Sequence, residues 1–177
     1  TLSGGCTGEQ LDQQFNGGAV SVWGLEGQLS HQILLPEQFS IPLSTTWTWT
    51  RSAFKTGFVS SFPQFGTVEA GDRLPYLPEH QGSVRLGLEH PRFRLGLSAA
   101  YRSGMDDVAG GDGTDEAQVP SLLTLDGAIE GQASRHLAVY STASNLGGAK
   151  SIASFRPFGA RPVAPFQLMV GIKLTPY

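Results

Sequence analysis

The sequence predicts an all-β, antiparallel fold of about seven strands, and three observations carry that prediction. Apolar and polar residues alternate with a period of two along seven segments, the spacing that puts successive side chains on opposite sides of a strand. The connections between those segments alternate between short and long. The 177 residues also include 23 Gly and 11 Pro, which weaken helix interiors by ~1 and ~3 kcal/mol each.

Taken in order, residues 19–30 place Trp23, Leu25 and Leu29 opposite Val22, Glu26 and Gln28. Residues 41–52 set Leu43, Thr45, Trp47 and Trp49 against Ser44, Thr46, Thr48 and Thr50. In 83–89, Val84, Leu86 and Leu88 oppose Ser83, Arg85, Gly87 and Glu89. The clearest segment is 92–102, with Phe93, Leu95, Leu97, Ala99 and Tyr101 on one face and Arg94, Gly96, Ser98, Ala100 and Arg102 on the other. A helix would mix those two sets. These third and fourth segments meet at His90-Pro91 and read as a hairpin. Next, Leu123, Leu125 and Ile129 oppose Thr124, Asp126, Ala128 and Glu130. Leu137 and Val139 begin a sixth strand that runs toward Asn145, and Phe166, Leu168, Val170, Ile172 and Leu174 make the seventh.

His90-Pro91 and residues 133–135 are tight connections and 34–40 is moderate, whereas 53–78, 103–120 and 146–164 are long and rich in Gly, Pro and Asp. Outer-membrane barrels have short turns on the periplasmic side and long loops outside, and a tilted strand of ~9–11 residues crosses the bilayer. On that reading the C-terminus is periplasmic and residues 1–18 are extracellular. A soluble antiparallel sandwich alternates in the same way with one buried face, so alternation alone leaves both open. Two features favour the membrane. The polar face carries Arg, Glu, Thr, Ser and small residues, as an aqueous lumen wall would, and the apolar faces end in aromatic residues. Trp47, Trp49, Tyr101 and Tyr177 would then form a lipid-facing girdle.

Composition removes other classes. A formal net charge of −3 supplies no basic surface for phosphate runs, so nucleic acid is not an expected partner. The single cysteine, Cys6, supports neither a disulfide framework nor a cysteine metal site. No run approaches the ~18 apolar residues of a spanning helix, so a membrane protein of this composition is a barrel. Thr1 opens a polar, Gly-rich stretch, and any export signal is expected upstream of it.

Several segments are also familiar as motifs. Asn16-Gly17-Gly18 followed by Gly24-Leu25-Glu26, and Trp47-Thr48-Trp49-Thr50 with Ala53-Phe54, are two of them. Pro63-Gln64-Phe65-Gly66, the run Gly71-Asp72-Arg73-Leu74-Pro75-Tyr76-Leu77-Pro78-Glu79-His80-Gln81, and Arg156-Pro157-Phe158-Gly159-Ala160-Arg161-Pro162 are the others. Together they resemble the TonB-dependent outer-membrane receptors of the ferric-citrate and siderophore type. The resemblance implies a barrel of the 22-strand type closed by a separate plug domain, with residues 1–177 as the C-terminal portion of the barrel and the plug absent from this chain. It also implies a location in the outer membrane of a Gram-negative bacterium and uptake of a ferric chelate, powered by the TonB complex acting through the plug. The partners are the rest of the barrel, the plug, TonB, lipid with lipopolysaccharide, and the ligand; no bond chemistry and no cofactor are implied. Val163 and Phe166 depart from the family's usual Gly and Arg, and Tyr177 is out of phase with Leu174, Ile172 and Val170.

No Gly-x-Ser-x-Gly elbow and no phosphate-cradling Gly loop before a Lys occurs, so no catalytic residue is expected. His31, His80, His90 and His136 lack zinc-ligand spacing, and no metal site is expected; His80 is expected to order the start of its strand. Asp106, Asp107, Asp112, Asp115 and Glu116 share one loop with Gly110, Gly111 and Gly113. That composition suits either a solvated acidic loop or oxygen ligands for calcium, without the EF-hand spacing. Arg102, at the extracellular end of its strand, and Arg156 and Arg161, in the last long loop, are the ligand-binding candidates, because guanidinium forks match carboxylates. The same arginines would alternatively pair with acids such as Asp106, or bind lipopolysaccharide phosphate. Arg85, Arg94, Glu89 and Glu130 are expected to form ion pairs along the lumen wall against the plug. The soluble alternative is a carbohydrate- or partner-binding β-sandwich that buries Trp47, Trp49, Leu95 and Leu97 under a second sheet.

Overall fold

The computed structural model describes residues 18–62, 64–110, 118–156 and 159–175. Cys6, Asp112, Asp115, Glu116 and Tyr177 lie outside the described residues, and so do the roles expected of them. Along the chain come β1 Val20–Leu34, β2 Ser40–Phe54, β3 Phe58–Val59, β4 Thr67–Val68 and β5 His80–His90. They are followed by β6 Phe93–Arg102, β7 Met105–Asp106, β8 Gln118–Val119 and β9 Leu122–Gln132. The last are β10 Leu137–Ser144, β11 Ile152–Ser154, β12 Arg161–Pro162 and β13 Gln167–Leu174.

The seven long strands form one antiparallel sheet in the order β1-β2-β5-β6-β9-β10-β13. Each pairs with the next long strand in the chain, the up-and-down order of a barrel wall. Among the described residues nothing pairs with the outer edges of β1 and β13, so the sheet is an open arc. The remaining strands form two-stranded hairpins inside the three long connections: β3 with β4, β7 with β8, and β11 with β12.

Register carries the alternation of each strand across the whole sheet. Leu43 pairs with His31 on one side and Leu86 on the other, and Leu86 pairs with Leu97. Leu95 pairs with Leu88 and Ile129, and Val139 with Ile172. Residues paired across strands share a face, so every row of apolar residues read from the sequence joins its neighbour on the same side. That face is bare: Leu25 is 71% exposed, Leu97 51% and Ile172 67%. A second sheet over Trp47, Trp49, Leu95 and Leu97 is what the sandwich reading requires, and no such layer exists among the described residues. The sandwich is therefore set aside.

The buried apolar cluster sits where β1 and β2 meet the long loops. Phe54, Val68 and Ala109 pack together, with Val20, Phe58, Phe65 and Leu74 against them. Strand ends also differ slightly from the alternation. β1 extends to Leu34, because Ile33 and Leu34 pair with Ile41 and Ser40. The tight turn is Pro91-Arg92, since His90 pairs with Phe93 and belongs to its strand.

Candidate functional site

The polar face curves around a trough of about 830 Å3 whose lining draws on β1, β2, β5, β6, β9 and β10. Only the concave side of an arc can offer six strands to one cavity. Its residues include Ser44, Arg85, Ser98, Glu89, Arg94 and Glu130. Register aligns Glu89, Arg94 and Glu130 in one row across β5, β6 and β9. Within this chain no ion pair joins Arg85, Arg94, Glu89 and Glu130 to one another. Among the described residues the two ion pairs are Arg73 with Glu79 and Arg156 with Asp107, both in loops.

On the convex face, aromatic rings gather at both strand ends. Toward the long loops, Trp23 meets Trp49 edge-on at 4.9 Å, and Trp47 lies 5.4 Å from His80 and stacks on Tyr101 at 6.4 Å. Toward the short turns, Phe39, His90 and Phe93 form a second group with centroids 4.7 to 5.9 Å apart. That second group escaped the sequence reading because Phe39 and His90 flank turns, where alternation gives no signal. Phe93 and Tyr101 are eight residues apart on β6. At ~3.3 Å per residue this is about 26 Å of strand before tilt, close to the ~25 Å apolar band of a barrel.

The three long connections meet above the trough. Tyr76, held at φ 57° in the loop before β5, donates its hydroxyl to Asp107 Oδ1 in the loop before β9. Asp107 Oδ2 takes Arg156 Nη2 at 3.0 Å from the loop before β13, and Phe155 N donates to the Tyr76 hydroxyl at 3.0 Å. Burial, with the hydrogen bond to Asp107, pushes the Tyr76 phenol above its ordinary range. Nearby, Trp49 Nε1 donates to Glu79 Oε1 at 3.3 Å, which with the Arg73 guanidinium holds the Glu79 carboxyl below its usual range. Asn145, buried and at φ 53°, anchors the last loop. Its amide Nδ2 donates to Ala149 O at 3.0 Å and Ala164 O at 2.9 Å, its Oδ1 accepts from Ala149 N at 2.7 Å, and its backbone N–H donates to Asp126 Oδ1 at 2.9 Å.

The three arginines singled out by the sequence converge on the β11–β12 hairpin. Arg102 Nη2 donates to Ile152 O at 3.4 Å and Ala153 O at 3.2 Å. Arg156 follows β11 and is held by Asp107, the neighbour of the Asp106 named as a possible partner. Asp106 contributes its carbonyl to Tyr76 N instead, at 2.9 Å. Arg161 is exposed on β12, opposite Ser154. His80 ties its strand end to the next, its N–H donating to Ser103 Oγ at 3.1 Å. Among the described residues no three His, Cys, Asp or Glu side chains group as metal ligands. Tyr76 and Asn145 were not singled out for these roles; a residue at positive φ with a polar tip is visible only in coordinates.

An open, up-and-down arc with an apolar convex face, two aromatic bands and a polar concave face is the wall of a large membrane β-barrel. Its sequence agrees. The family model for the TonB dependent receptor-like β-barrel matches residues 1–146, and the chain belongs to that family. Among solved structures it is similar to the siderophore receptor PiuA from Acinetobacter baumannii, with a TM-score of 0.66 and 14% identity over 88% of this chain and 22% of that one. It is also similar to the ferric-catecholate import receptor Fiu from K12 E. coli, with a TM-score of 0.51 and 14% identity over 84% of this chain and 27% of that one. The chain thus spans about a quarter of the length of these structures. No curated protein sequence matches it.

Proposed function

We propose that residues 1–177 form the C-terminal portion of the barrel of a TonB-dependent receptor in the outer membrane of a Gram-negative bacterium, and that the receptor takes up a ferric siderophore or a similar scarce chelate. The observation that carries this reading is the predominantly apolar face, exposed on all seven long strands and backed by a trough into which Arg85, Arg94, Glu89 and Glu130 project. Water does not reward such a face, and hydrocarbon does. Trp47, Trp49 and Tyr101 then stand at the extracellular rim against lipid and lipopolysaccharide. The trough takes the plug, through which TonB delivers energy, and the missing strands join at β1 and β13. The chain supplies wall and loops and no bond chemistry. PiuA and Fiu are named for siderophores and ferric catecholate, which favours an iron chelate over other nutrients.

Capture falls to the long loops, where Arg102, Arg156 and Arg161 surround one hairpin and offer guanidinium forks to an anionic chelate, ferric citrate among them. The test is growth of iron-starved cells whose only chelate receptor carries this chain. Uptake should require TonB and fall at least several-fold when Arg102 and Arg161 are both changed to Gln. Equal growth with and without the receptor on every ferric chelate supplied would overturn the reading.

A further inference from the structure

Asp107 divides its carboxylate between two other loops. Oδ2 meets Arg156 Nη2 at 3.0 Å, while Oδ1 accepts the hydroxyl of Tyr76. Backbone bonds complete the ring, with Tyr76 N donating to Asp106 O at 2.9 Å and Phe155 N to the Tyr76 hydroxyl at 3.0 Å. Because Asp107 serves two donors, it holds the guanidinium through one nitrogen only. Nε of Arg156 is sealed from solvent and has no hydrogen-bond partner, and so is Nη1 of Arg102 beneath the same hairpin. A guanidinium binds a carboxylate best through two parallel N–H groups. A carboxylate free of Tyr76 is therefore a better partner for Arg156 than the resident one.

We propose that Asp107 is a stand-in for a ligand carboxylate: an incoming carboxylate-bearing anion takes Arg156, Asp107 and Tyr76 are released, and the three long loops come apart as one unit. This rests on the reading of these loops as the site of capture. It adds that the site is occupied by the protein itself before the ligand arrives, and that leaving it couples all three loops.

Hydrogen–deuterium exchange on the whole receptor in detergent tests this, followed at residues 55–79, 103–110 and 145–156 with citrate as the probe anion. Asp107→Asn should speed exchange in all three segments together by about tenfold, the factor expected for one or two lost hydrogen bonds. Citrate at millimolar concentration should do the same to the unmodified receptor and add little to the variant. Tyr76→Phe should loosen 55–79 and leave 152–156 protected and less sensitive to citrate, since Asp107 can then offer both oxygens to Arg156. For Asp107→Asn, faster exchange confined to 103–110 overturns the coupling, and indifference of the unmodified receptor to citrate overturns the stand-in. Either failure, with uptake still dependent on Arg102 and Arg161, leaves the transport reading standing; uptake indifferent to those arginines removes capture by these loops.

Discussion

Trp47 stacks on Tyr101 across an intervening strand, with the rings parallel to within 8° and 6.4 Å apart. The residue between them is Gly82, which pairs with Trp47 on one side and Tyr101 on the other. A Cβ at that position would lie 2.7 Å from the Trp47 ring. The aromatic band at the loop end is therefore built on a gap in β5.

Gly82→Val should break the stack and cost about 1–3 kcal/mol, the usual range for overpacking. A lower urea midpoint and a changed near-ultraviolet tryptophan signal would show it. An unaltered signal would mean that the rings do not depend on the gap.

Leu95 and Ser98 sit three residues apart on β6 and face opposite ways. Leu95→Arg should cost about 2–4 kcal/mol near mid-bilayer, while Ser98→Asn, facing the trough beside Arg85 and Asp126, should change folding by well under 1 kcal/mol. Equilibrium refolding into lipid vesicles measures both. Equal tolerance at the two positions contradicts the facing.

Asn145 is 4% exposed and ties Asp126, Ala149 and Ala164 together. Asn145→Ala removes the side-chain hydrogen bonds to half-buried Ala149 and exposed Ala164, a loss of about 0.5–1.5 kcal/mol for each bond. It should speed limited proteolysis within residues 146–164 and leave the wall strands protected. Unchanged cleavage would show that the loop is held elsewhere.

The contact between Trp49 and Glu79 should depend on pH. The folded carboxyl sits below the ordinary 4.5 because the indole N–H and then Arg73 favour its charged form. A lowered folded value means that the stabilisation is complete above pH 4.5 and is lost as pH falls through the folded value. The Trp49 indole N–H resonance should shift over that acid range, and Glu79→Gln should abolish the shift.

Much of the wall was legible in the sequence, because a one-residue slip would expose polar side chains on the apolar face, and 92–102 shows the separation without exception. Local alternation could not decide what covers that face; pairing such as Leu43 with Leu86 and Leu86 with Leu97 did, by joining separate rows into one exposed surface. The loops were less legible. Arg102, Arg156 and Arg161 stand out as candidates from the sequence, but the convergence of the first two depends on long-range contacts, Arg102 with Ile152 and Asp107 with Arg156, that no spacing encodes. Glu89, Arg94 and Glu130 illustrate the converse: register brings unlike charges into line, yet long side chains in an open trough gain little from closing.

Adjacent positions on one strand give the most direct measurement. With Cys6 replaced by Ser, Leu97→Cys and Ser98→Cys are introduced singly into the whole receptor, labelled with a fluorophore, and reconstituted into vesicles of brominated lipid. Position 97 should be quenched by the lipid and position 98 should not, while a water-soluble thiol reagent applied before labelling should reach 98 and spare 97. Equal quenching at both positions, or quenching at 98 alone, would contradict the assignment of the apolar face to hydrocarbon.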